Sequence, residues 1–228
     1  MIDQKLMERI TQEVKKQIAV INQDKSQGSV KPESGIINPH DRNALENMKK
    51  QTSARVGIGK TGARLRTKAM WNFRKDQTSA RDSVFKDVEE AFIAGCNLFS
   101  VSTKCTDRNE HLTRPDLGRI INDEGVELIK EKCIRSPKVQ IYVADGLSSQ
   151  AIEDNAGEML PALIDGLTAG GIKVGTPFFM KFGRVPAMDM VTELLDAEVT
   201  CVLIGERPGL AAAGSMSAYI VYRATVGM

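Results

Sequence analysis

The feature that most constrains this chain is an alternation of short apolar runs and helical stretches that begins after Pro137. VQIYVA (139–144) is a β-rich run bounded by Pro137 and by Asp145-Gly146. GEMLPALIDGLTA (157–169) reads as a helix with Pro161 near its start, stopped by Gly170-Gly171. IKV (172–174) reads as a second strand, followed by a loop, GTPFFMKFGRVP. Residues 187–196 read as a helix, VTCVLIGE (199–206) as the third and strongest strand, and AYIVYR (218–223) as a fourth. Strands separated by helices must be joined by right-handed crossovers, which make a parallel sheet. The fourth strand follows the third too closely for a crossover, so it needs another geometry or an extra helix at 210–216.

The N-terminal half has a different pattern. Ile2, Leu6, Ile10, Val14, Ile18 and Ile21 form an apolar stripe at helical spacing. Two readings stay open for that helix: it docks on its own core, or it is detachable and binds another protein. Residues 22–38 are rich in Gly, Ser, Pro and charge and read as a flexible linker. Residues 39–137 read as mainly helical. Asp41 caps a helix through Lys50, Asp82 another through Ala94, and Thr113-Arg114-Pro115-Asp116 starts a third that Ser136-Pro137 ends. The predicted class is α/β. Residues 138–228 form a Rossmann-like, mostly parallel sheet with helices on both faces, preceded by a mainly helical region (39–137), the linker (22–38) and an N-terminal amphipathic helix (1–21).

Composition narrows the function. Hydrophobic residues are 42% and charged residues 26% of the chain, ordinary for a folded soluble protein. No apolar run reaches the roughly 20 residues of a membrane helix, and the N-terminus lacks the apolar core of a signal peptide. The four cysteines form no CxxC pair, which argues against a disulfide scaffold or thiolate zinc site and for a reducing cytoplasm. Only two histidines are present, His40 and His111, so metallohydrolase and Ser-His chemistry have few candidates. Each reads as an ordinary polar residue.

Charge is segregated beneath a net of +2: residues 42–81 carry eleven basic and two acidic groups. Such a segment requires an anionic partner or a solvated surface. Gly57-Ile58-Gly59-Lys60-Thr61-Gly62 matches GxGxxG, but it follows Gln51-Thr52-Ser53-Ala54-Arg55 and no buried strand, and a P-loop would need Gly where Ala54 stands. These glycines read as a tight loop carrying Arg55, Lys60, Arg64 and Arg66. Aromatic residues are too few for a nucleic-acid surface.

In a doubly wound sheet, ligands bind outside the carboxyl ends of the strands. Three such ends carry distinctive chemistry: Asp145-Gly146-Leu147-Ser148-Ser149, Gly175-Thr176-Pro177-Phe178-Phe179 running on to Gly183-Arg184-Val185, and Gly205-Glu206-Arg207-Pro208-Gly209. Ordinary turn chemistry explains any one of them. Three on one edge predict a large, flat ligand of mixed polarity.

HLTRPDLGR (111–119), VADGLSSQAI (143–152), GIKVGTPFFMKFGRV (171–185) and LIGERPGL (203–210), with NPHD (38–41) and SARVGIGKTGARLRTKAMWNF (53–73), resemble the small-subunit family of ethanolamine ammonia-lyase. The resemblance spans about residues 38–223. It implies an adenosylcobalamin-dependent lyase converting ethanolamine to acetaldehyde and ammonia. It also implies a large subunit that holds the substrate, with the small one closing over cobalamin whose own base stays on cobalt. By position it places Val185 and Glu206 at cobalamin contacts, with Arg184 and Gly205 beside them; that Phe178 and Phe179 wall the ring is an inference from their place after the second strand and not from the resemblance. No residue of this chain is implied to be catalytic, and no metal is held by side chains. The family pattern continues past Tyr222 with a polar stretch, a terminal helix and another cobalamin contact, so the resemblance implies a truncated C-terminus. It also implies packaging in a bacterial microcompartment in the cytoplasm, with the N-terminal helix attaching to shell or core. Two other readings remain open from the residues alone: a non-catalytic interaction or packaging protein, and a stand-alone nucleotide-binding enzyme using Gly57–Gly62.

Overall fold

A computed structural model describes residues 8–16, 35–52, 54–209 and 214–227. Residues 8–16 form helix α1. α2 spans Arg42–Lys50, and its cap Asp41 accepts a hydrogen bond from the Ala44 amide, as the sequence predicts. The glycine-rich segment makes a small antiparallel hairpin, β1 (Lys60–Thr61) and β2 (Arg64–Leu65), with Gly57, Gly59 and Gly62 at positive φ. Among the described residues no buried strand precedes it, in keeping with the tight-loop reading and against the dinucleotide fingerprint.

The helix expected from Asp82 to Ala94 is two helices. α3 (Thr67–Phe85) runs straight through Asp82, and α4 spans Glu90–Gly95. The break has a tertiary cause: Glu153 pairs with Lys86 and accepts from the Glu89 amide, drawing 86–89 out of the helix. The helix expected from Thr113 is also split. α5 (Arg108–Thr113) ends there because Arg114, preceding Pro115, leaves the helical region. A 3-10 turn at Leu117–Arg119 follows, then α6 (Asp123–Lys132), capped by Asn122 through the Gly125 amide.

One mixed sheet organises the rest. Its strands are β3 (Phe99–Ser102), β4 (Val139–Ala144), β5 (Phe178–Lys181), β6 (Val199–Gly205) and β7 (Met216–Tyr222), in the order β3-β5-β4-β6-β7. The first four are parallel, and β7 returns antiparallel to β6 with Val199 opposite Tyr222. β4 and β6 match the expected runs. IKV does not form a strand: Val174 makes a single bridge to Val139, and the strand lies four residues later. β3 comes from the region expected to be mainly helical, so the boundary expected at 137–138 cuts through one sheet.

Side chains alternate between two cores, as a pleated strand requires. Ile141, Val143, Cys201 and Leu203 face α7 (Ser149–Ala169), which presents Ile152, Leu160, Leu163 and Leu167. Tyr142, Val202 and Ile204 face α6 and α8 (Ala187–Leu195). α7 starts eight residues earlier than expected, capped by Ser148 through the Ala151 amide, which leaves Pro161 in its interior. α1 docks on the α7 side: Ile10 and Val14 are buried in that core, and Arg9 donates to the Gly170 carbonyl at 2.7 Å. The described part of the N-terminal stripe is therefore on the chain's own core. Ile2, Leu6, Ile18, Ile21 and most of the linker lie outside the described residues.

Candidate functional site

Three turns meet at the carboxyl edge of the sheet because β4, β5 and β6 are parallel neighbours. After β4 the chain turns at Asp145-Gly146, with Gly146 at φ 54°. After β5 it turns at Phe182, a bulky residue held at φ 59°, before Gly183-Arg184-Val185. After β6 comes Gly205-Glu206-Arg207, closed by a hydrogen bond from the Glu206 amide to the Ser215 carbonyl.

Glycine is required where two turns touch. A Cβ on Gly146 would strike the Gly205 carbonyl, and one on Gly205 would strike the Ser148 and Asp145 carbonyls. The close approach that Gly205 permits is thus between two protein turns. Leu147 donates its amide to the Gly205 carbonyl at 2.9 Å, locking the β4 and β6 turns together.

The β4 and β5 turns are joined by a buried polar cluster. Asp145 is 1% exposed; it pairs with Arg108 at 2.9 Å and accepts from the Gly183 amide at 3.2 Å. Burial pushes its carboxyl upward, and Arg108 opposes this. Arg108 also pairs with the partly exposed Asp87 at 2.7 Å, and its guanidinium lies 4.9 Å from the Phe182 ring. Asp87 in turn pairs with Lys181 at 2.9 Å. His111 is fully buried, with Nε2 2.9 Å from the Gly146 carbonyl. Burial, and then the Arg184 cation, push its pKa down to about 4. Thr103 donates to the Phe182 carbonyl at 3.0 Å, holding the strained turn.

The predicted site residues divide into two groups. Arg184, Val185, Gly205 and Glu206 come together on this edge. Arg184 is half-buried, with Nη2 donating to the His111 carbonyl at 2.6 Å and Nε buried without a partner. Burial lowers its pKa. Glu206 accepts from the Tyr219 hydroxyl at 2.7 Å. Phe178 is a correction. It lies in β5, fully buried, stacked on Tyr142 with centroids 5.1 Å apart, so its ring belongs to the core and cannot wall a ligand.

Sequence reasoning missed Arg108, His111 and Thr103 as parts of this edge. Their only signal was that His111 stood inside the HLTRPDLGR block, because their roles come from contacts across 35 or more residues. Among the described residues no group of His, Cys, Asp and Glu could hold a metal ion, and no helix is long and apolar enough to cross a membrane.

Comparison with known proteins places the chain in a family. The family model "Ethanolamine ammonia-lyase light chain (EutC)" matches residues 42–228. The chain is similar to the ethanolamine ammonia-lyase small subunit of Clostridium perfringens, 47% identical over 232 residues, covering 100% of this chain and 79% of that protein. It is 54% identical over 180 residues to the one from Fusobacterium nucleatum, covering 79% of this chain and 61% of that protein. It is 51% identical over 193 residues to the one from Clostridium tetani, covering 85% and 65% respectively. It thus spans less than two thirds of the length of the latter two. By the extent of the match and the level of identity, the chain belongs to the ethanolamine ammonia-lyase light chain family.

Proposed function

We propose that this chain is the small subunit of an adenosylcobalamin-dependent lyase that converts ethanolamine to acetaldehyde and ammonia, and that its sheet edge closes over the cobalamin. The observation that carries this reading is the placement of Arg184-Val185 and Gly205-Glu206 on one edge, after the parallel strands β5 and β6 that flank β4.

The donor set fits a corrin rimmed with amide side chains. Glu206 spends Oε1 on Tyr219 and keeps Oε2 as an acceptor, while Arg184 offers a guanidinium whose Nε is unpartnered. His111 is committed to Gly146 and fully buried, so this edge offers no imidazole to cobalt, in keeping with a cofactor that keeps its own base. When bound, adenosylcobalamin supplies the radical chemistry, and this chain's residues bind it, orient it and exclude water.

The reading includes a large subunit as partner, with the substrate on that partner. Its docking side on this chain is α3 and the basic hairpin. α3 buries only Ser83 and leaves Trp71 69% and Phe85 49% exposed, with Arg64, Arg74 and Lys75 beside Trp71. It also includes attachment to a bacterial microcompartment through the N-terminal segment, which requires α1 to leave the core where Ile10 and Val14 are buried; fusing residues 1–22 to a reporter and following its co-sedimentation with shells tests it.

Glu206→Gln tests the cofactor edge. A charge-assisted acceptor becomes a neutral one, so cobalamin binding to the full complex weakens by about 1–2 kcal/mol, a 5- to 30-fold rise in Kd. An unchanged Kd beside a lowered melting temperature would leave Glu206 as a structural partner of Tyr219.

A further inference from the structure

We propose that His111 is a positioning residue that staples the β4 and β5 turns together, and through Gly146 the β6 turn, so that Arg184, Val185 and Glu206 face one ligand. The inference rests on the reading of this edge as the cobalamin edge.

α5 is an unusual docking element. The residues it buries are Arg108 and His111, both polar, where a helix serving only as a lid over a sheet would bury aliphatic side chains. Burying such groups costs desolvation, and apolar groups of similar size would dock more cheaply. What the polar pair adds is direction. Gly146 O can only accept, so the Nε2 that lies 2.9 Å from it carries the proton, and the imidazole is a neutral donor aimed at the β4 turn. The carbonyl of the same residue accepts from Arg184 Nη2 at 2.6 Å, reaching the β5 turn.

The rest of the segment completes the bracket. Gly118 O accepts from the Arg184 amide at 2.9 Å. Gly118 has no room for a side chain, since a Cβ there would lie 2.7 Å from Arg184 Cγ and 3.4 Å from His111 Nδ1. Both the backbone and the side chain of Arg184 are therefore set by residues 111–118. From Gly146 the constraint passes on: the next amide, Leu147, donates to Gly205 O, and Glu206 follows directly. His111 packs against the strained Phe182 with ring centroids 5.8 Å apart, so the bracket also braces the one bulky residue at positive φ on this edge. The HLTRPDLGR block thereby has a role: it touches no ligand and fixes the turns that do.

The test compares His111→Gln with His111→Asn in the full complex with the large subunit. The Gln amide nitrogen can stand where Nε2 stands; the shorter Asn amide cannot reach Gly146 O. Both variants lose the same ring packing on Phe182, so a packing defect appears in both and only the hydrogen bond separates them. Two readouts are taken: cobalamin Kd by titration, and amide hydrogen exchange at Leu147 and Arg184 in the cobalamin-free complex. The expected result is a Kd for His111→Asn raised about 10-fold with faster exchange at both amides, and a Kd for His111→Gln within about 3-fold of the parent. Equal effects of Gln and Asn, or unchanged exchange in His111→Asn, would overturn the staple and leave the edge assignment standing. Faster exchange in His111→Asn with a parental Kd in both it and Glu206→Gln would place the cofactor elsewhere, and the positioning role would fall with that reading.

Discussion

The sheet and the basic limb, residues 139–222 and 42–85, are built on opposite principles. Every residue of β4 and β6 is buried, and the two cores on either side are filled by helices from this same chain. α3 is nineteen residues long and buries one, Ser83. Its large side chains, Met70, Trp71 and Phe85, face outward. A long helix with so little intrachain burial draws little of its stability from packing on its own chain. The contrast separates a part of the chain that packs on itself from a limb that buries almost nothing against the rest.

The comparison breaks if truncations in the two regions cost the same. Leu203→Ala, at a position 1% exposed between β4 and β7, is expected to cost about 2–5 kcal/mol in thermal or denaturant unfolding of the full chain. Trp71→Ala is expected to change that transition by under about 0.5 kcal/mol. A large loss for Trp71→Ala would place the limb inside the fold.

A second test uses acid. His111 in the folded chain has a pKa near 4, while in the unfolded chain it titrates near its ordinary 6.5. Its contribution is therefore fully present above pH 6.5 and is lost as pH falls toward 4, because the unfolded state takes up a proton that the folded state refuses. The loss reaches about 3 kcal/mol. The charged groups around the ring are Arg184 and Arg108, and Asp145 sits behind Arg108. His111→Gln should flatten this part of the stability profile. A slope that persists in that variant assigns it to other groups.

The two smaller effects belong to the limb. Trp71→Ala should weaken assembly with the large subunit about 10- to 30-fold, as the loss of a central aromatic anchor does. Reversing Arg64 and Arg66 to Glu should chiefly slow association and change its salt dependence, since rim charges act on encounter. Assembly at low salt that ignores both changes would move the interface off α3.

The sequence carried the sheet well where one local signal decided the structure. β4 and β6 are continuous apolar runs with turn residues at their ends, and Asp41 and Gly170 mark their helix ends unaided. It misled where two strand-like runs competed. Ile172 and Val174 are β-branched, yet Phe178, Phe179 and Met180 bury far more apolar surface and take the strand. β3 was hidden because FSVS is four residues long and gains its place only by pairing with β5, 76 residues away. At the candidate edge, the motif blocks alone put Val185 and Glu206 at strand ends, where the structure has them. His111 reads as an ordinary polar residue in sequence, because nothing local reveals that its ring and carbonyl reach two separate turns.

The strand order has a consequence for how the protein is made. β3 pairs only with β5, and β5 separates it from β4. A nascent chain that has just emitted β3 and β4 cannot join them correctly. Counted from Ala144, the ribosome must add the 37 residues through Lys181 before the filler between them exists, which at about 5–20 residues per second takes about 2–7 s. Throughout that interval Phe99, Val101 and the all-apolar face of VQIYVA have no lawful neighbour, and a premature β3–β4 pairing is the error most open to them. Fast translation of this stretch, or a chaperone waiting at the exit tunnel, would protect yield without touching the finished protein at all.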